Sequence, residues 1–281
     1  MRLEPATAAL SDDRRADVDP FLVVDDLSKA FQRREKKKAP EPVEVLREVS
    51  FTAARGETIT VIGPSGCGKS TLLNCIAGLA SFDSGRLTVD GRAVTKPGPE
   101  RAVIFQQAFL LPWRTIERNV AYGLELRREK SAAEIAERVV VALETVGLTE
   151  AKDLYPHEVS GGMQQRANLA RALVVDPQLL LMDEPFGALD ALTREAMQDE
   201  LSELIARTNR TTFFITHDIE EAILLGDTVL VMSANPGQIV ERIDVPFERP
   251  RPRDIVATSE FEKMAAHIRG HLRGNRSARK S

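Results

Sequence analysis

A glycine-rich segment, GPSGCGKST at residues 63–71, has a composition and spacing that suit phosphate binding. It matches the pattern G-x-x-x-x-G-K-[ST] from Gly63 to Ser70, follows the apolar run TITVIG and precedes the helical run STLLNCIAGL. In a strand–loop–helix of this kind, backbone N–H groups converge on phosphate oxygens and the helix start adds its dipole. We expect Lys69 to reach the β- and γ-phosphates and Ser70 to bind Mg²⁺. The other candidate nucleotide-binding residues of the loop are Pro64, Ser65, Gly66, Cys67, Gly68 and Thr71.

Two adjacent carboxylates end another apolar run, LLLMDE at residues 179–184. The run predicts a buried strand that brings Asp183 to its carboxyl end, where the magnesium ligands would lie. Glu184 is one residue further on, so its side chain leaves the opposite face and can orient or deprotonate a water that attacks the γ-phosphate. A helix-capping or ion-paired glutamate is the alternative. These residues predict a P-loop nucleotide hydrolase, with GTPases, kinases and motor ATPases all still open.

A second segment suited to anions, VSGGMQQRANLARAL, opens a helix predicted over 162–175. Ser160 is a good N-cap, and the N–H groups of Gly161 and Gly162 would be free donors at the helix start. This end has neither the lysine nor the magnesium ligands needed to hold a nucleotide alone, so it is half of a site. We therefore expect two chains to pair head-to-tail, each helix start closing over the γ-phosphate held by the other chain.

The composition is that of an ordinary globular protein, with 43% hydrophobic and 28% charged residues. No run approaches the ~20 apolar residues that cross a bilayer, and the N-terminus lacks the apolar region of a signal peptide. The two cysteines suit a reducing compartment. Residues 247–281 carry a charge of +5 and residues 1–246 a charge of −9, which together give the net charge of −4. The acidic character of residues 1–246 argues against nucleic-acid binding. The basic tail is either solvated or in contact with RNA or anionic lipid, and the charged segment 33–42 is either an exposed loop or a partner-binding one.

Apolar runs place these motifs on a largely parallel sheet. Runs rich in β-branched residues predict strands at 21–28, 58–63, 101–106, 178–185, 211–218 and 228–234. Several are almost wholly apolar, which is typical of parallel strands buried on both faces. Residues 107–176 show helical patterns instead, and a further helix is predicted at 191–208. The predicted layout is an α/β lobe, an inserted helical lobe, and then the rest of the α/β lobe.

In their order and spacing, the motifs resemble those of the ATP-binding cassette (ABC) family over residues 21 to about 245. GPSGCGKST is similar to Walker A, VSGGMQQR to the family signature, and LLLMDE to Walker B with its catalytic glutamate. The resemblance implies an α/β P-loop NTPase with a RecA-like α/β lobe, an antiparallel β subdomain and an inserted helical signature lobe at about 107–176. It implies ATP and Mg²⁺ as cofactors, and Gln164 of the signature as a nucleotide-binding residue.

Further site residues are assigned by resemblance alone. Asp190 in GALD is similar to the D-loop aspartate at the dimer interface, and His217 in FITHD to the residue that senses the γ-phosphate. Gln106 in AVIFQ resembles the glutamine that links Mg²⁺ and the attacking water to the helical lobe, although Gln107 lies beside it. Phe31 in LSKAF resembles the aromatic residue that stacks on adenine, with a core phenylalanine as the alternative.

Three classes of protein share these motifs: transporter ATPases, ATPases of DNA repair or chromosome organisation, and ribosome-associated factors. The second class splits its cassette with coiled coils or zinc modules, but this sequence has no heptad run and no CxxC. The third usually carries two cassettes in one chain, and exporters commonly fuse theirs to membrane helices. The resemblance therefore implies a bacterial importer subunit, peripheral on the cytoplasmic side of the inner membrane. A soluble ATPase acting in DNA repair or on the ribosome is the alternative.

Three segments resemble the nitrate/sulfonate/taurine importers: FLLPWRTIERNV, SANPGQIVERIDVPFERPRPR and SEFEKMAAHIRGHL. The expected partners are an identical or paralogous ATPase subunit, integral membrane permease subunits and, indirectly, a periplasmic or extracellular solute-binding protein. We expect Trp113 to contact the permease, with core packing as the alternative. The expected division is a disordered extension at 1–20, the ATPase domain at 21–246, and a basic tail at 247–281 that contains an amphipathic helix.

Overall fold

The computed structural model describes residues 19–33, 41–187 and 189–277. The strands are β1 (Leu22–Arg33), β2 (Glu41–Ala53), β3 (Thr58–Ile62), β4 (Ser84–Val89), β5 (Arg92–Ala93), β6 (Arg101–Ile104), β7 (Leu179–Asp183), β8 (Thr211–Thr216), β9 (Thr228–Met232) and β10 (Ile239–Asp244). The helices are α1 (Lys69–Ala77), α2 (Ile116–Arg127), α3 (Ala132–Thr145), α4 (Gly161–Leu173), α5 (Ala191–Thr208), α6 (Ile219–Leu225) and α7 (Ser259–Ser277). The predicted extension falls almost wholly outside these ranges, as does most of the predicted 33–42 loop.

The strands form two sheets. The larger has the order β10-β9-β3-β8-β7-β6, in which β9, β3, β8, β7 and β6 run parallel and β10 pairs antiparallel with β9. Every residue of β3, β8 and β9 is buried, as their nearly continuous apolar sequences predict. The smaller sheet, β2-β1-β4-β5, is antiparallel. The predicted α/β lobe, antiparallel subdomain and helical lobe are all present.

The core has three parts, which correspond to these layers. One fills the space between the two sheets around α1. Another joins the helical lobe (α2, α3 and α4) and α5 to the other face of the large sheet. On α3 the buried residues are Val139, Ala142 and Leu143. Within the described ranges, no helix combines the length and the hydrophobicity of a membrane span.

The third part of the core lies at the C-terminal end of the chain. The C-terminal helix α7 buries Phe261 and Ile268, which are 1% and 0% exposed, against α6 and β9. Its docking is reinforced by Arg251, whose guanidinium donates to the carbonyls of Ile223, Leu224, Gly226 and Phe247. Burial lowers the pKa of Arg251 to about 10. The interpretation of the basic segment as solvated is therefore wrong for Arg251, because its charge is bound to backbone carbonyls.

Candidate functional site

The phosphate-binding loop connects β3 to α1, and its shape depends on glycine. Gly66 and Gly68 have φ values of 76° and 101°, in the left-handed region that favours glycine. A Cβ at Gly68 would also lie 2.7 Å from a side-chain carbon of Leu46. Lys69 begins α1 and is 6% exposed, and its Nζ donates to the carbonyl of Gly63 at 2.9 Å. The ammonium group therefore lies against the loop itself, at the start of the helix.

The loop rests on the turn that follows β9, a contact that the sequence analysis missed. The N–H of Gly237 donates to the carbonyl of Val45 at 2.9 Å, and its own carbonyl accepts from the N–H of Arg47 at 3.0 Å. A Cβ at Gly237 would lie only 2.0 Å from the carbonyl oxygen of Cys67. Burial raises the pKa of the Cys67 thiol, so this residue packs the loop rather than acting as a thiolate. The glycine of the NPG sequence is the signal that could have revealed this support.

Asp183 lies at the carboxyl end of β7, as predicted, beside the start of α1. Its carboxylate accepts a hydrogen bond from Ser70, the residue after Lys69. Burial raises the pKa of Asp183, and the hydrogen bond from Ser70 opposes that change. Two of the three side chains assigned to Mg²⁺ from the sequence, Ser70 and Asp183, are therefore in contact in the structure.

Glu184 and His217 meet because they follow neighbouring parallel strands, β7 and β8. Nδ1 of His217 lies 3.1 Å from Oε2 of Glu184. The backbone of Glu184 has a φ of 45°, and its N–H donates to the carbonyl of Ile215 at 3.0 Å. A left-handed conformation at a residue other than glycine costs on the order of 1–3 kcal/mol and is concentrated at functional sites. The strained backbone turns the Glu184 carboxylate toward the histidine.

Gln106 lies two residues beyond the end of β6, against the turn that carries Glu184. A Cβ at Gly187 would lie 2.8 Å from Nε2 of Gln106, and the N–H of Gly187 donates to the carbonyl of Glu184 at 3.0 Å. Because β6 and β7 are parallel neighbours, residues that follow them share one edge of the sheet. This position supports Gln106 over Gln107 as the residue next to the acidic groups.

The second predicted phosphate site forms the start of α4. The hydroxyl of Ser160 caps the helix by accepting from the N–H of Met163, and the space beyond the Cα of Gly161 is open. Gln164, by contrast, uses its side-chain amide to donate to the carbonyl of Pro156 at 2.9 Å. The helix start is therefore accessible to an anion, while Gln164 holds the preceding turn in place.

Asp190 lies near the start of α4, because Thr193 contacts both Asp190 and Gly162. Its carboxylate caps α5 by accepting from the N–H of Thr193 at 3.0 Å, and this backbone hydrogen bond lowers the pKa of Asp190. A Cβ at Gly162 would lie 2.8 Å from Cγ2 of the same Thr193. The starts of α4 and α5 thus lie side by side, with both capping side chains on one surface.

Phe31 near the end of β1 is not part of the core. Its side chain is 48% exposed, and Nζ of Lys29 lies 5.3 Å from the centre of the ring. The alternative of a core phenylalanine is therefore wrong, and the ring is available to stack on a planar group.

The segment that joins β6 to the helical lobe, residues 106–115, is called the connecting segment here. Asn119 of α2 is fully buried, and its amide nitrogen donates to three carbonyls of the connecting segment, those of Leu111, Arg114 and Thr115. Arg171 of α4 donates to the carbonyls of Ala108 and Phe109 at 2.7 and 2.9 Å. Both side chains attach the connecting segment to the helical lobe, and neither was predicted from the sequence.

The outer side of the connecting segment is apolar and exposed. Phe109 is 62% exposed and Trp113 is 71% exposed, so core packing is wrong for Trp113. A cavity of about 390 Å³ lies beside the segment, lined by Gln106, Gln107, Phe109, Leu110, Gly161 and Leu189 among others. This surface is suited to an apolar segment of a partner.

A P-loop, a strand-end carboxylate pair and an inserted helical lobe define a nucleotide hydrolase of the cassette type. The chain belongs to the ABC transporter family, whose model matches residues 46–187. The taurine import ATP-binding protein TauB of Rhizobium johnstonii is 47% identical over 246 residues, covering 84% of this chain and 92% of that protein. The bicarbonate transport ATP-binding protein CmpD of Synechocystis sp. is 44% identical over 236 residues, covering 83% and 82%.

A solved structure agrees with the fold. It is a dimeric ATP-binding cassette in a post-hydrolysis state, bound to ADP and Pi, with a TM-score of 0.70 and 27% identity over 81% of this chain and 100% of that one. The predicted family, fold class and ATPase activity are confirmed, and the DNA-repair or ribosomal alternative is not favoured.

Proposed function

We propose that this ABC ATPase hydrolyses ATP to drive import of a small anion or zwitterion, such as nitrate, an aliphatic sulfonate or taurine. The observation that carries the catalytic part is the 3.1 Å contact between Glu184 and His217, next to Asp183 and Ser70. The import part is supported by the relatives named for taurine import and bicarbonate transport. Bicarbonate joins the list of candidate solutes for the same reason.

The donor set at the carboxyl end of β7 fits Mg²⁺. Ser70 offers a hydroxyl and Asp183 a carboxylate, which are the hard oxygen ligands that Mg²⁺ prefers, and the amide oxygen of Gln106 is the third proposed ligand. When bound there, Mg²⁺ would neutralise charge on the β- and γ-phosphate oxygens of ATP.

The remaining chemistry belongs to side chains of this chain. Lys69 supplies a positive charge at the start of α1, next to the loop that would hold the phosphates. Glu184 orients the attacking water or accepts its proton at a carboxylate oxygen. His217 fixes the orientation of that carboxylate through Oε2 and faces the γ-phosphate.

The Ser160–Gly162 helix start functions in a dimer. It has an open Cα surface at Gly161 and a cap that orients the first turn, which suits closure over a phosphate held by another chain. The structurally similar cassette is a dimer, which supports a head-to-tail pair of identical chains or of paralogues. Asp190, beside this surface, is then at the dimer interface.

The exposed Trp113 surface receives a helix of an integral membrane permease. The chain is then a peripheral protein on the cytoplasmic side of the inner membrane, coupled through the permease to a periplasmic or extracellular solute-binding protein. In this assignment residues 21–246 are the ATPase domain, and residues 247–281 are the basic C-terminal tail, whose helix α7 packs on that domain.

Glu184→Gln tests the catalytic assignment. The substitution keeps the shape but removes the basic carboxylate, so phosphate release from ATP should fall by roughly 10²-fold or more while ATP binding persists. The ATP-bound variant should then accumulate as a dimer in size-exclusion chromatography. Glu144→Gln, at an exposed position of α3, is the matched control and should hydrolyse ATP normally. Near-normal turnover in the Glu184 variant would contradict the assignment.

The importer assignment needs a separate measurement. The tagged chain should co-purify with an integral membrane protein, and the associated binding protein should bind taurine, a sulfonate, nitrate or bicarbonate in calorimetry. A stable complex with ribosomes or with DNA instead would contradict an import function.

A further inference from the structure

Three side chains outside the phosphate-binding loop bring metal-ligating atoms together on β10 and α7. Nε2 of His267 lies 2.8 Å from Oε1 of Glu241, and Nε2 of His271 lies 2.7 Å from Oε2 of the same carboxylate. The ligand atoms of the three residues all lie within 4.8 Å of one another. The two histidines are four residues apart on one helix, a spacing that places two imidazoles on one face.

One oxygen of this carboxylate is not satisfied by its neighbours. Oε2 of Glu241 is buried and accepts no hydrogen bond from the described residues, although Nε2 of His271 is only 2.7 Å away. A buried oxygen of this kind normally has a donor, and one without a donor calls for an explanation such as an ion. A cation between the imidazole nitrogens and the carboxylate would satisfy it, because all three atoms would then direct a lone pair at one point.

The donor types select the kind of ion. Two imidazole nitrogens and one carboxylate oxygen are typical ligands of Zn²⁺ and its first-row neighbours, whereas Mg²⁺ and Ca²⁺ prefer oxygen alone. The side chains of His267 and His271 are 54% and 38% exposed, so an ion can enter from solvent and water can complete its coordination. We propose that Glu241, His267 and His271 form a binding site for a divalent transition-metal ion.

Such an ion would tie the C-terminal helix to the large sheet. Glu241 belongs to β10, the edge strand, and both histidines belong to α7, so one ion bridges two elements that are otherwise held by the apolar side of the helix. An ion that binds only the folded arrangement stabilises it by a free energy that rises with the logarithm of the ion concentration. The site is separate from the proposed Mg²⁺ position, whose ligands follow β3, β6 and β7.

The test uses the full chain without a polyhistidine tag, stripped with chelator and titrated with Zn²⁺ or Co²⁺ in excess Mg²⁺. We expect one ion per chain by calorimetry, Co²⁺ absorption bands typical of nitrogen and oxygen coordination, and a higher melting temperature with Zn²⁺. Loss of a direct ligand in His271→Ala, or of the charge in the isosteric Glu241→Gln, should weaken binding by more than about 100-fold.

Two control variants separate this site from other binding. His157→Ala removes an exposed histidine of the helical lobe, and Asp183→Asn removes a ligand of the proposed Mg²⁺ site, so both should retain the transition-metal ion. The proposal is overturned if the wild-type chain binds no ion, in which case the three residues form a hydrogen-bonded cluster only. It is also overturned if Glu241→Gln and His271→Ala bind as tightly as the wild type, or if Asp183→Asn alone abolishes binding.

Discussion

Gly237→Ala adds a single methyl group behind the phosphate-binding loop. The new Cβ would lie 2.0 Å from the carbonyl oxygen of Cys67 and 3.0 Å from that of Val45, and both are backbone atoms that cannot rotate away. Since Gly237 does not have a left-handed φ, alanine introduces a steric conflict without backbone strain. Relief of the contact with Cys67 needs a displacement on the order of 1 Å, because Cβ contacts below 3.0 Å essentially never occur.

Two effects of this displacement can be estimated. Overpacking of a close-packed site typically costs about 1–3 kcal/mol of folding free energy, and for a chain of this size that lowers the melting temperature by about 2–4 °C per kcal/mol. A shift of about 1 Å in a loop that positions a reacting group can reduce the rate by about 10²-fold. We therefore expect weaker ATP binding, a fall in turnover of about 10²-fold, and a melting temperature lowered by only a few degrees.

The assay combines thermal unfolding, titration with a fluorescent ATP analogue and phosphate release. Gly270→Ala is the matched control because a Cβ at Gly270 in α7 has no atom within 4 Å. In a helix interior that change should stabilise the chain by roughly 0.5–1 kcal/mol and leave ATP binding unaltered. Unchanged affinity and turnover in Gly237→Ala would show that the turn does not support the loop, even if the melting temperature fell.

Three other substitutions test the remaining assignments. Ser160→Arg should preserve ATP binding by the single chain but prevent dimerisation and hydrolysis, because a bulky cation fills the surface that closes over the phosphate of the other chain. If the variant hydrolysed ATP at the normal rate, with a rate first order in monomer concentration, the head-to-tail pair would be contradicted. Phe31→Ala should weaken ATP binding by about 1–3 kcal/mol if the exposed ring stacks on adenine, and unchanged affinity in titration would refute stacking. Trp113→Ala should leave basal ATPase activity nearly intact but abolish its stimulation by the loaded binding protein in the assembled transporter; normal uptake by reconstituted vesicles would refute the permease contact.

The loop and the acidic pair could be predicted because each is a continuous stretch of sequence whose geometry is local. Gly66, Gly68 and Lys69 are constrained by a few peptide units, and Asp183 and Glu184 directly follow a buried strand. The contact between Glu184 and His217 could be predicted by one further inference, because the neighbouring parallel strands β7 and β8 end at the same edge of the sheet. Resemblance to a family supplied the rest of the candidate site, including Gln106 and Asp190.

Contacts between a side chain and distant backbone were beyond the sequence analysis. Arg251 binds carbonyls at the end of α6, and carbonyls are the same in every residue, so no pattern of residue types marks them. The basic composition of residues 247–281 therefore left a solvated tail and a contact with RNA or anionic lipid as alternatives. The close approach of Gly237 to Cys67 was hidden for the same reason, because the atom that excludes a side chain is a backbone oxygen.

The attachment of the connecting segment to α2 and α4 determines where the two lobes can bend. Residues 108–115 are bound to the helical lobe through Asn119 and Arg171, whereas β6 is held in the sheet up to Ile104. Rotation of one lobe against the other must therefore be absorbed by torsion angles in the few peptide units at 105–107, together with the return path between α4 and β7.

Gln106 thus lies at the hinge between the two lobes, and Trp113 lies further along the segment that moves with the helical lobe. A nucleotide that rotates the peptide units at 105–107 by a small angle would displace Trp113 by an amount that grows with the distance between Gln106 and Trp113. The segment between them must also be stiff, because a flexible segment would bend and would not transmit the motion to Trp113. Arg171 binds the first part of this segment, at Ala108 and Phe109, and Asn119 binds the part around Trp113, so these two side chains supply the stiffness.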